Sequence, residues 1–291
     1  MDDNNQISSE VIDEQTGIKH FEAHGDRWFS LDKDSAKAMT TVIGTIVGEE
    51  NTQNMRIEKL PGCASSLMIV GDAPAVPCAV LRPEGKDLHL LSFYPVLRGI
   101  PNLLEIEHLH PWNMVRGAEG DVYAVFDNKV SLCFFDPMWG IDAPQLAEGM
   151  ECHFELAAWV YSLHKAEHKE IIVKPDSPSY EDLCLSLNGI TLGDPITFST
   201  RGLRALLPTD FACEYNFQAP VLSVEECVFC GYSMLRLKVE LVGNEKILTA
   251  WIYASRHILK GYVPIPGDDV TGMLWLTGYI CPEPAPPMPL Q

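Results

Sequence analysis

Basic residues are scarce in this chain: 21 Lys and Arg stand against 40 Asp and Glu, which gives a formal net charge of −19. A protein that neutralises nucleic-acid phosphates needs lysine and arginine clustered on one surface. The densest short group of basic residues, in the segment SLHKAEHKEIIVK, also carries glutamates. The scarcity therefore argues against nucleic-acid binding and favours a protein partner with a basic surface.

Long apolar runs are also missing. No run approaches the roughly 20 residues that a membrane-spanning helix needs. The N-terminal segment MDDNNQISSE is acidic, whereas a secretory signal begins basic and then becomes apolar. We therefore expect no membrane association and a cytoplasmic location. The nine cysteines lie at irregular spacing, which predicts reduced thiols rather than a disulfide framework.

The familiar catalytic signatures do not occur. There is no Gly-x-Ser-x-Gly, no phosphate-binding Walker loop, no Gly-x-Gly-x-x-Gly after a strand and no protein-kinase set. We expect no cofactor, and the sequence assigns no catalytic residue. These absences favour a binding protein over an enzyme.

Most of what is present predicts β-strands. The segment DVYAVFDNKVSLCFFD contains two β-rich runs around Asp127 and Asn128, a pair suited to the positive φ angles of a tight turn, and it predicts a hairpin over Val122 to Phe135. A second hairpin is predicted in MLRLKVELVGNEKILTAWIYA, where apolar and charged residues alternate up to a turn at Gly243. The fold class is therefore mainly β with minor α.

An internal similarity relates the two hairpins and the segments that follow them. With Lys129 placed on Lys246 and one residue inserted, AEGMECHFELAAWVYSL aligns with PGDDVTGMLWLTGYI. The aligned pairs are Gly149 with Gly267, Glu151 with Asp269, Leu156 with Leu274, and Tyr161 with Tyr279. This order predicts two similar barrel-like or sandwich-like units and an internal duplication. The alternative is that any two hairpins with a following strand look alike at this level.

The second unit resembles the strand plan of OB-like small barrels over about residues 219–280. This stretch begins near VLSVEECVFC and ends with IPGDDVTGMLWLTGYI, which contains a Gly-Asp turn. In that family such a turn leads into the closing strands, and many members bind single strands through a basic groove with stacking aromatics. The first unit departs from this pattern. Its segment ECHFELAAWVYSLHKAEHKE has the composition of a helix, with Phe154, Ala157, Ala158 and Tyr161 on one face, so helix and strand both remain open there.

The chain divides into four predicted parts. Residues 1–34 hold nine acidic and three basic residues and are expected to form a partly flexible arm that folds back only around RWFSL. Residues 35–174 form the first β-rich unit and residues 183–280 the second, separated by a linker over Lys174 to Asp182. Residues 281–291 form a proline-rich tail. A short helix is expected around Ser199 to Leu207.

Three patterns could carry metal chemistry. His164, Glu167 and His168 match His-x-x-Glu-His, in which two histidines one helical turn apart bind zinc and the glutamate handles the water proton. That site also needs a helix and a third protein ligand, which the sequence does not supply. Cys227 and Cys230 have the spacing of one half of a zinc knuckle, but the other cysteines offer no second pair. His108 and His110 lie on one face of a predicted strand and could supply two metal ligands. The same spacing also fits two surface histidines beside a proline turn. We therefore expect no bound metal.

The leading hypothesis is a non-catalytic, acidic, cytoplasmic interaction protein, such as an inhibitor that occupies the basic nucleic-acid-binding site of a partner. One alternative is a zinc-dependent hydrolase that uses His164, Glu167 and His168. A second alternative is single-strand binding by barrel aromatics, namely Phe134, Phe135, Trp139, Trp251 and Tyr253. Alternating aromatics on strands are more often core residues.

Overall fold

The structure is a computed structural model that describes residues 10–12, 19–48, 54–113, 117–177 and 194–281. Part of every predicted segment lies outside these residues: 1–9 and 13–18 of the arm, 49–53 and 114–116 of the first unit, 178–182 of the linker, 183–193 of the second unit, and 282–291 of the tail. In the described ranges, none of the helices has the length and apolar content required to cross a bilayer.

The described part is built mainly of β-strands, which confirms the predicted fold class. The strands are β1 Glu10–Ile12, β2 Lys19–Phe21, β3 Met55–Lys59, β4 Ser66–Val70, β5 Ala75–Glu84, β6 Asp87–Leu97, β7 Ile100–Pro111, β8 Gly120–Phe126, β9 Val130–Asp136, β10 Glu151–Lys165, β11 Glu170–Val173, β12 Ile196–Ser199, β13 Ala205–Pro208, β14 Glu214–Phe229, β15 Tyr232–Gly243, β16 Ile247–Ser255 and β17 Asp269–Ile280. The helices are α1 Ser35–Val47, α2 Trp139–Asp142 and α3 Arg256–Leu259, with 3-10 turns at Gly25–Ser30 and Ala143–Gln145.

Both predicted hairpins are confirmed. β8 and β9 pair antiparallel around Asp127 and Asn128, whose φ angles are 52° and 55°. Asparagine and aspartate tolerate this left-handed region better than most residues. β15 and β16 pair antiparallel through the turn at Gly243, whose φ is 109°. The alternation of apolar and charged residues places one face of β15 in the core and the other towards solvent.

Two closed rings of strands organise the main sheet. The first ring runs β7, β8, β9, β17 and β10, and it closes through the pairing of β10 with β7. The second runs β14, β15, β16, β10 and β17, and it closes through the pairing of β14 with β17. Each ring contains one parallel contact, between β9 and β17 in the first and between β16 and β10 in the second. β10 and β17 belong to both rings, so the two predicted units share strands in one nine-stranded sheet of the described residues.

The segment ECHFELAAWVYSLHK, for which the sequence left both helix and strand open, forms the 15-residue strand β10. Its side chains alternate between two apolar cores: Leu156 and Val160 pack in one, whereas Ala157, Trp159 and Tyr161 pack in the other. A strand that is buried on both faces carries apolar residues throughout. For this reason the sequence lacks a period of two and resembles a buried helix. The helix expected around Ser199 to Leu207 is wrong, because β12 and β13 are strands there, paired with β11 and β14.

Residues 19–34, in the second half of the predicted flexible arm, are more buried than the sequence predicted. Trp28 and Leu31 are buried, in line with the expected fold-back around RWFSL, but burial also extends to His20, Glu22 and His24. His20 pairs with Asp121 of β8, Glu22 with His110 of β7, and His24 with Glu119 just before β8, so this segment packs as part of the core. It then leads into α1, which begins at the N-cap Asp34, whose carboxylate accepts from the backbone N–H of Lys37 (3.1 Å).

A separate four-stranded sheet, β3-β4-β5-β6, lies on the other side of this segment. Its central strand β4 and the first seven residues of β5 are almost fully buried. Trp28 stacks on Phe93 of β6 and on Phe229 of β14, with ring centroids 5.2 Å and 6.2 Å apart. The segment after β2 therefore lies between the small sheet and the ringed sheet, and the three share one core.

Candidate functional site: a buried polar network and an acidic face

The predicted zinc motif does not form a helix. His164 lies at the exposed end of β10, and Glu167 and His168 follow in an exposed loop. His168 Nε2 donates to Asp269 Oδ2 (2.8 Å), which also accepts the backbone N–H of Gly202. Among the described residues, no group of three or more His, Cys, Asp or Glu is placed to hold a metal ion.

The other two metal patterns are accounted for by packing and pairing. Cys227 and Cys230 are half-buried at the β14–β15 hairpin, where Cys230 occupies the turn with a φ of 48°. On β7, His108 pairs with Glu148 (3.2 Å), whereas His110 stacks on His20 with centroids 3.7 Å apart. The two histidines thus take different partners.

The aromatic residues that could have formed a stacking platform belong mostly to the core. Phe134, Phe135, Trp139 and Tyr253 are buried. Trp251 is half-buried, and the Arg236 guanidinium lies 4.5 Å from its ring centroid. The core interpretation is therefore confirmed for the four buried rings.

Sequence reasoning missed a buried polar network centred on Asp121 of β8. Its Oδ2 accepts from His20 Nδ1 (2.6 Å) and from Trp112 Nε1 (2.9 Å), and its Oδ1 accepts from Cys213 Sγ (3.2 Å). The Tyr123 hydroxyl donates to His20 Nε2 (2.7 Å). A carboxylate with several donors is stabilised in a site from which water is largely excluded. This network joins β2 and the loop before β14 to the first ring.

A second group of buried charges lies next to that network. His24 Nε2 donates to Glu119 Oε2 (3.4 Å), and the Arg27 guanidinium lies 3.8 Å from the ring centroid of Trp275. Arg27 Nη1 also donates to the hydroxyl of Tyr161 (3.0 Å). Burial lowers the pKa of His24, and the nearby Glu119 carboxylate partly opposes this shift.

The signal for these residues was present in the sequence. His20, Glu22 and His24 recur at every second position, and in an extended segment that spacing directs side chains to one face. A polar face in an acidic segment predicts exposure to solvent, whereas these side chains are buried. The partners that bury it, Asp121 and Glu119, are about a hundred residues away in sequence, at separations of 101 and 95.

An acidic face covers the outside of the β7–β10 pair. Glu105 of β7 lies directly opposite Glu151 of β10. Glu107, Glu148 and Glu151 are exposed, and Glu105 is half-buried. Apolar side chains interrupt the acids here, since Leu103 is 46% exposed and Met150 is 40% exposed. We call Leu103, Glu105, Glu107, Glu148, Met150 and Glu151 the acidic face.

Like charges directly opposite one another across strands destabilise a sheet by a fraction of a kcal/mol, on the order of 0.2–1 kcal/mol. Lys246 is close enough for Glu151 to contribute to raising its pKa. However, the principal partner of Lys246 is Asp127, at 2.8 Å. Among the described residues, His108 pairs with Glu148 at 3.2 Å, so the charge of the acidic face is offset only in part.

Two surface clefts are further candidate sites. One, of about 640 Å³, is lined by residues of β8, β9 and the loop that leads into β14, including Tyr123, Cys133 and Cys213. The other, of about 550 Å³, lies at the β8–β9 and β15–β16 turns and includes Lys129, Arg201, Arg204 and Lys246. Three of these four cations are engaged, because Arg204 pairs with Glu240 (2.6 Å), and Lys246 and Lys129 both pair with Asp127 (2.8 and 3.8 Å).

Comparison with protein-family models, with curated proteins and with solved structures found no match for this chain.

Proposed function

We propose that this protein is a non-catalytic, cytoplasmic interaction protein, and that its acidic face occupies a basic, nucleic-acid-binding surface of a partner protein. The observation that carries the proposal is the cross-strand opposition of Glu105 and Glu151. The pair costs folding free energy, and Lys246, which lies near Glu151, pairs mainly with Asp127, so we take the charges of the pair to be available to a partner.

The chemistry of the acidic face agrees with this role. Exposed carboxylates steer a basic partner through long-range attraction, which raises the association rate more than the final affinity. Leu103 and Met150 add exposed apolar area among the acids, and apolar contacts supply binding free energy that salt does not screen. The predicted complex therefore forms faster at low ionic strength and retains some affinity at high ionic strength.

A charge-matched comparison tests the proposal. The double variant Glu105→Gln with Glu151→Gln changes the net charge from −19 to −17, and the control Glu84→Gln with Asp87→Asn, at the β5–β6 hairpin, makes the same change. Each immobilised protein is incubated with native lysate at low and high salt, and captured proteins are identified. We expect basic nucleic-acid-binding proteins on wild type and on the control, and their loss from the acidic-face variant.

A direct competition completes the test. A captured partner is bound to a labelled oligonucleotide, and the wild-type protein is expected to displace that oligonucleotide whereas the acidic-face variant is not. Equal capture by all three proteins, or captured proteins with no excess of basic residues, would contradict the proposal.

We further propose that the two rings are OB-like barrels that arose by internal duplication. Three antiparallel strands, a short helix and a long strand recur in the same order, as β7-β8-β9-α2-β10 and as β14-β15-β16-α3-β17. The parallel contacts, β9 with β17 and β16 with β10, also fall at equivalent places in the two rings. An experimental structure in which residues 128–163 fail to superimpose on residues 245–280 would overturn this proposal.

A further inference from the structure

We propose that Cys133 and Cys213 form a thiol–disulfide redox site that a low-molecular-weight disulfide oxidises through the 640 Å³ cleft. Cys133 lies on β9, and Cys213 lies in the loop before β14. Their sulfur atoms are 3.4 Å apart. A disulfide bond of about 2.0 Å therefore requires the two atoms to approach by roughly 1.4 Å, a movement that side-chain rotation supplies.

The cleft gives the pair access to a reagent. Both cysteines line it, with exposed fractions of 6% for Cys133 and 3% for Cys213. The wall also includes Tyr123, Phe211 and Tyr215. Cys133 is slightly more exposed than Cys213, and Cys213 is in hydrogen-bond contact with both Cys133 and Asp121. We therefore expect a reagent in the cleft to react at Cys133.

The backbone at Cys213 supports a specific placement of its sulfur. Its φ angle is 64°, in the left-handed region that glycine and asparagine favour and that few other residues adopt. The carbonyl of Cys213 accepts from the backbone N–H of Leu276 (2.7 Å), which anchors the loop to β17. The loop is thus held in an uncommon conformation that directs this cysteine towards β9.

The other described cysteines lack this arrangement. Cys78 is fully buried in the small sheet. Cys227 and Cys230 are close in sequence but half-buried at a hairpin, and no sulfur–sulfur contact between them is observed. Burial raises the pKa of both Cys133 and Cys213, so the thiolate is a minor species at neutral pH. The rate of oxidation should consequently increase about tenfold per pH unit below the thiol pKa.

The reaction balances in two exchange steps. The thiolate of Cys133 attacks one sulfur of the external disulfide, which breaks the S–S bond and releases one small thiol that takes up the proton lost by Cys133. The sulfur of Cys213 then attacks the Cys133 sulfur of the mixed disulfide and forms the Cys133–Cys213 bond. Its proton passes by way of Asp121 to the second small thiolate, which leaves as the thiol. The protein loses two protons and two electrons, and the external disulfide gains both. A strong external reductant reverses the sequence.

Oxidation would connect two distant parts of the fold. The new bond would tie β9 to the loop before β14 across 80 residues of sequence. It would also remove the Sγ–H donor from Asp121, which retains His20 and Trp112. In a reducing cytoplasm such a bond is transient, so the site would respond to oxidative conditions rather than serve as a permanent staple.

The test uses the full chain and oxidised glutathione. The reduced protein is incubated at pH values from 7 to 9, remaining thiols are alkylated, and peptides are mapped by mass spectrometry. We expect a cross-linked pair of peptides containing Cys133 and Cys213, formed before any other disulfide, faster at higher pH, and removed by dithiothreitol. The melting temperature of the oxidised protein should exceed that of the reduced protein.

Variants of each cysteine distinguish Cys133, which attacks the external disulfide, from Cys213, which resolves the mixed disulfide. Cys213→Ser should leave Cys133 as a stable mixed disulfide with glutathione, whereas Cys133→Ser should leave Cys213 largely unmodified. The control Cys227→Ser should not change the rate. The wild-type map decides the matter even where a variant fails to fold. The proposal is overturned if Cys133 and Cys213 remain alkylatable while Cys227 and Cys230 become oxidised, or if glutathione stays on Cys133 of the wild type without closure to Cys213.

Discussion

Trp159, in the middle of β10, donates a hydrogen bond from its indole nitrogen to the hydroxyl of Ser30, at 2.6 Å. The backbone carbonyl of Ser30 in turn accepts from the hydroxyl of Ser255. These contacts attach the 3-10 turn Gly25–Ser30 to the strands of the ringed sheet. The segment before α1 therefore belongs to the folded body, and its removal should affect the stability of the sheet.

Two adjacent aromatic residues test that conclusion. Trp28 is 1% exposed, whereas its neighbour Phe29 is 45% exposed. Trp28→Ala is expected to lower the free energy of unfolding by about 3–5 kcal/mol, because it leaves a large cavity in a packed core. Phe29→Ala should cost about 1 kcal/mol or less. Urea titration of both variants measures the difference in the free energy of unfolding. Equal small effects would instead support the flexible arm that the sequence predicted.

Gly272 marks a close approach of β17 to β10. A Cβ atom at this position would lie 1.9 Å from the carbonyl oxygen of Ser162, where β10 is bulged. Gly272→Ala must therefore displace backbone, and we expect a loss of about 2–4 kcal/mol. Gly44→Ala in α1 is the matched control, since no atom lies within 4 Å of its added Cβ. The control should be stabilised by about 0.5–1 kcal/mol. Thermal unfolding of the two variants should move in opposite directions.

Asp142 predicts a pH dependence of stability. Burial raises the pKa of its carboxyl to about 6, although the backbone N–H of Ile280 donates to Oδ2 (2.9 Å) and opposes the shift. Burial and the neighbouring Asp142 raise the pKa of Asp136 further. The folded protein thus holds these protons more tightly than the unfolded chain. The contribution of Asp142 to stability is full below about pH 4 and is lost as the pH rises through 6, whereas that of Asp136 is lost at higher pH.

Asp142→Asn removes this dependence while keeping an oxygen for the Ile280 N–H. At pH 7.5 the variant should be more stable than wild type by on the order of 1–3 kcal/mol. It should also lose less stability than wild type between pH 4 and 6. Unfolding free energies at four pH values measure both effects, with the exposed Asp87→Asn as control. A variant that is less stable than wild type at pH 7.5 would show that the charge of Asp142 is compensated.

Glu105 and Glu151 should separate stability from binding. Glu151→Lys replaces a like-charge pair by an attractive one, so the protein should become more stable by about 0.2–1 kcal/mol. The same change should weaken binding to a basic partner, because it reverses one charge in the centre of the acidic face. Thermal unfolding and partner titration at two salt concentrations measure the two effects. A variant that binds as tightly as wild type would place the interface elsewhere on the surface.

Local patterns predicted much of the fold. The hairpins around Asn128 and Gly243 followed from alternation and turn chemistry, which depend on neighbouring residues alone. The sequence also predicted the mainly β class and the shortage of basic charge. Its weakest predictions concerned β10 and the segment after β2. In β10 both faces are buried, so the period of two disappears. In the segment after β2, the acids and histidines read as solvated because their partners are distant in sequence.

The sequence by itself thus determined where strands turn, which of their faces are apolar, and that the chain carries a net negative charge. Only the tertiary structure decided that β10 and β17 are shared by two rings, that Asp121 collects His20, Trp112 and Cys213, and that Cys133 meets Cys213. The physical reason is the range of the interactions. Turn and strand preferences act between neighbouring residues, whereas ring closure and the burial of charged groups depend on contacts between segments about 50 to 100 residues apart.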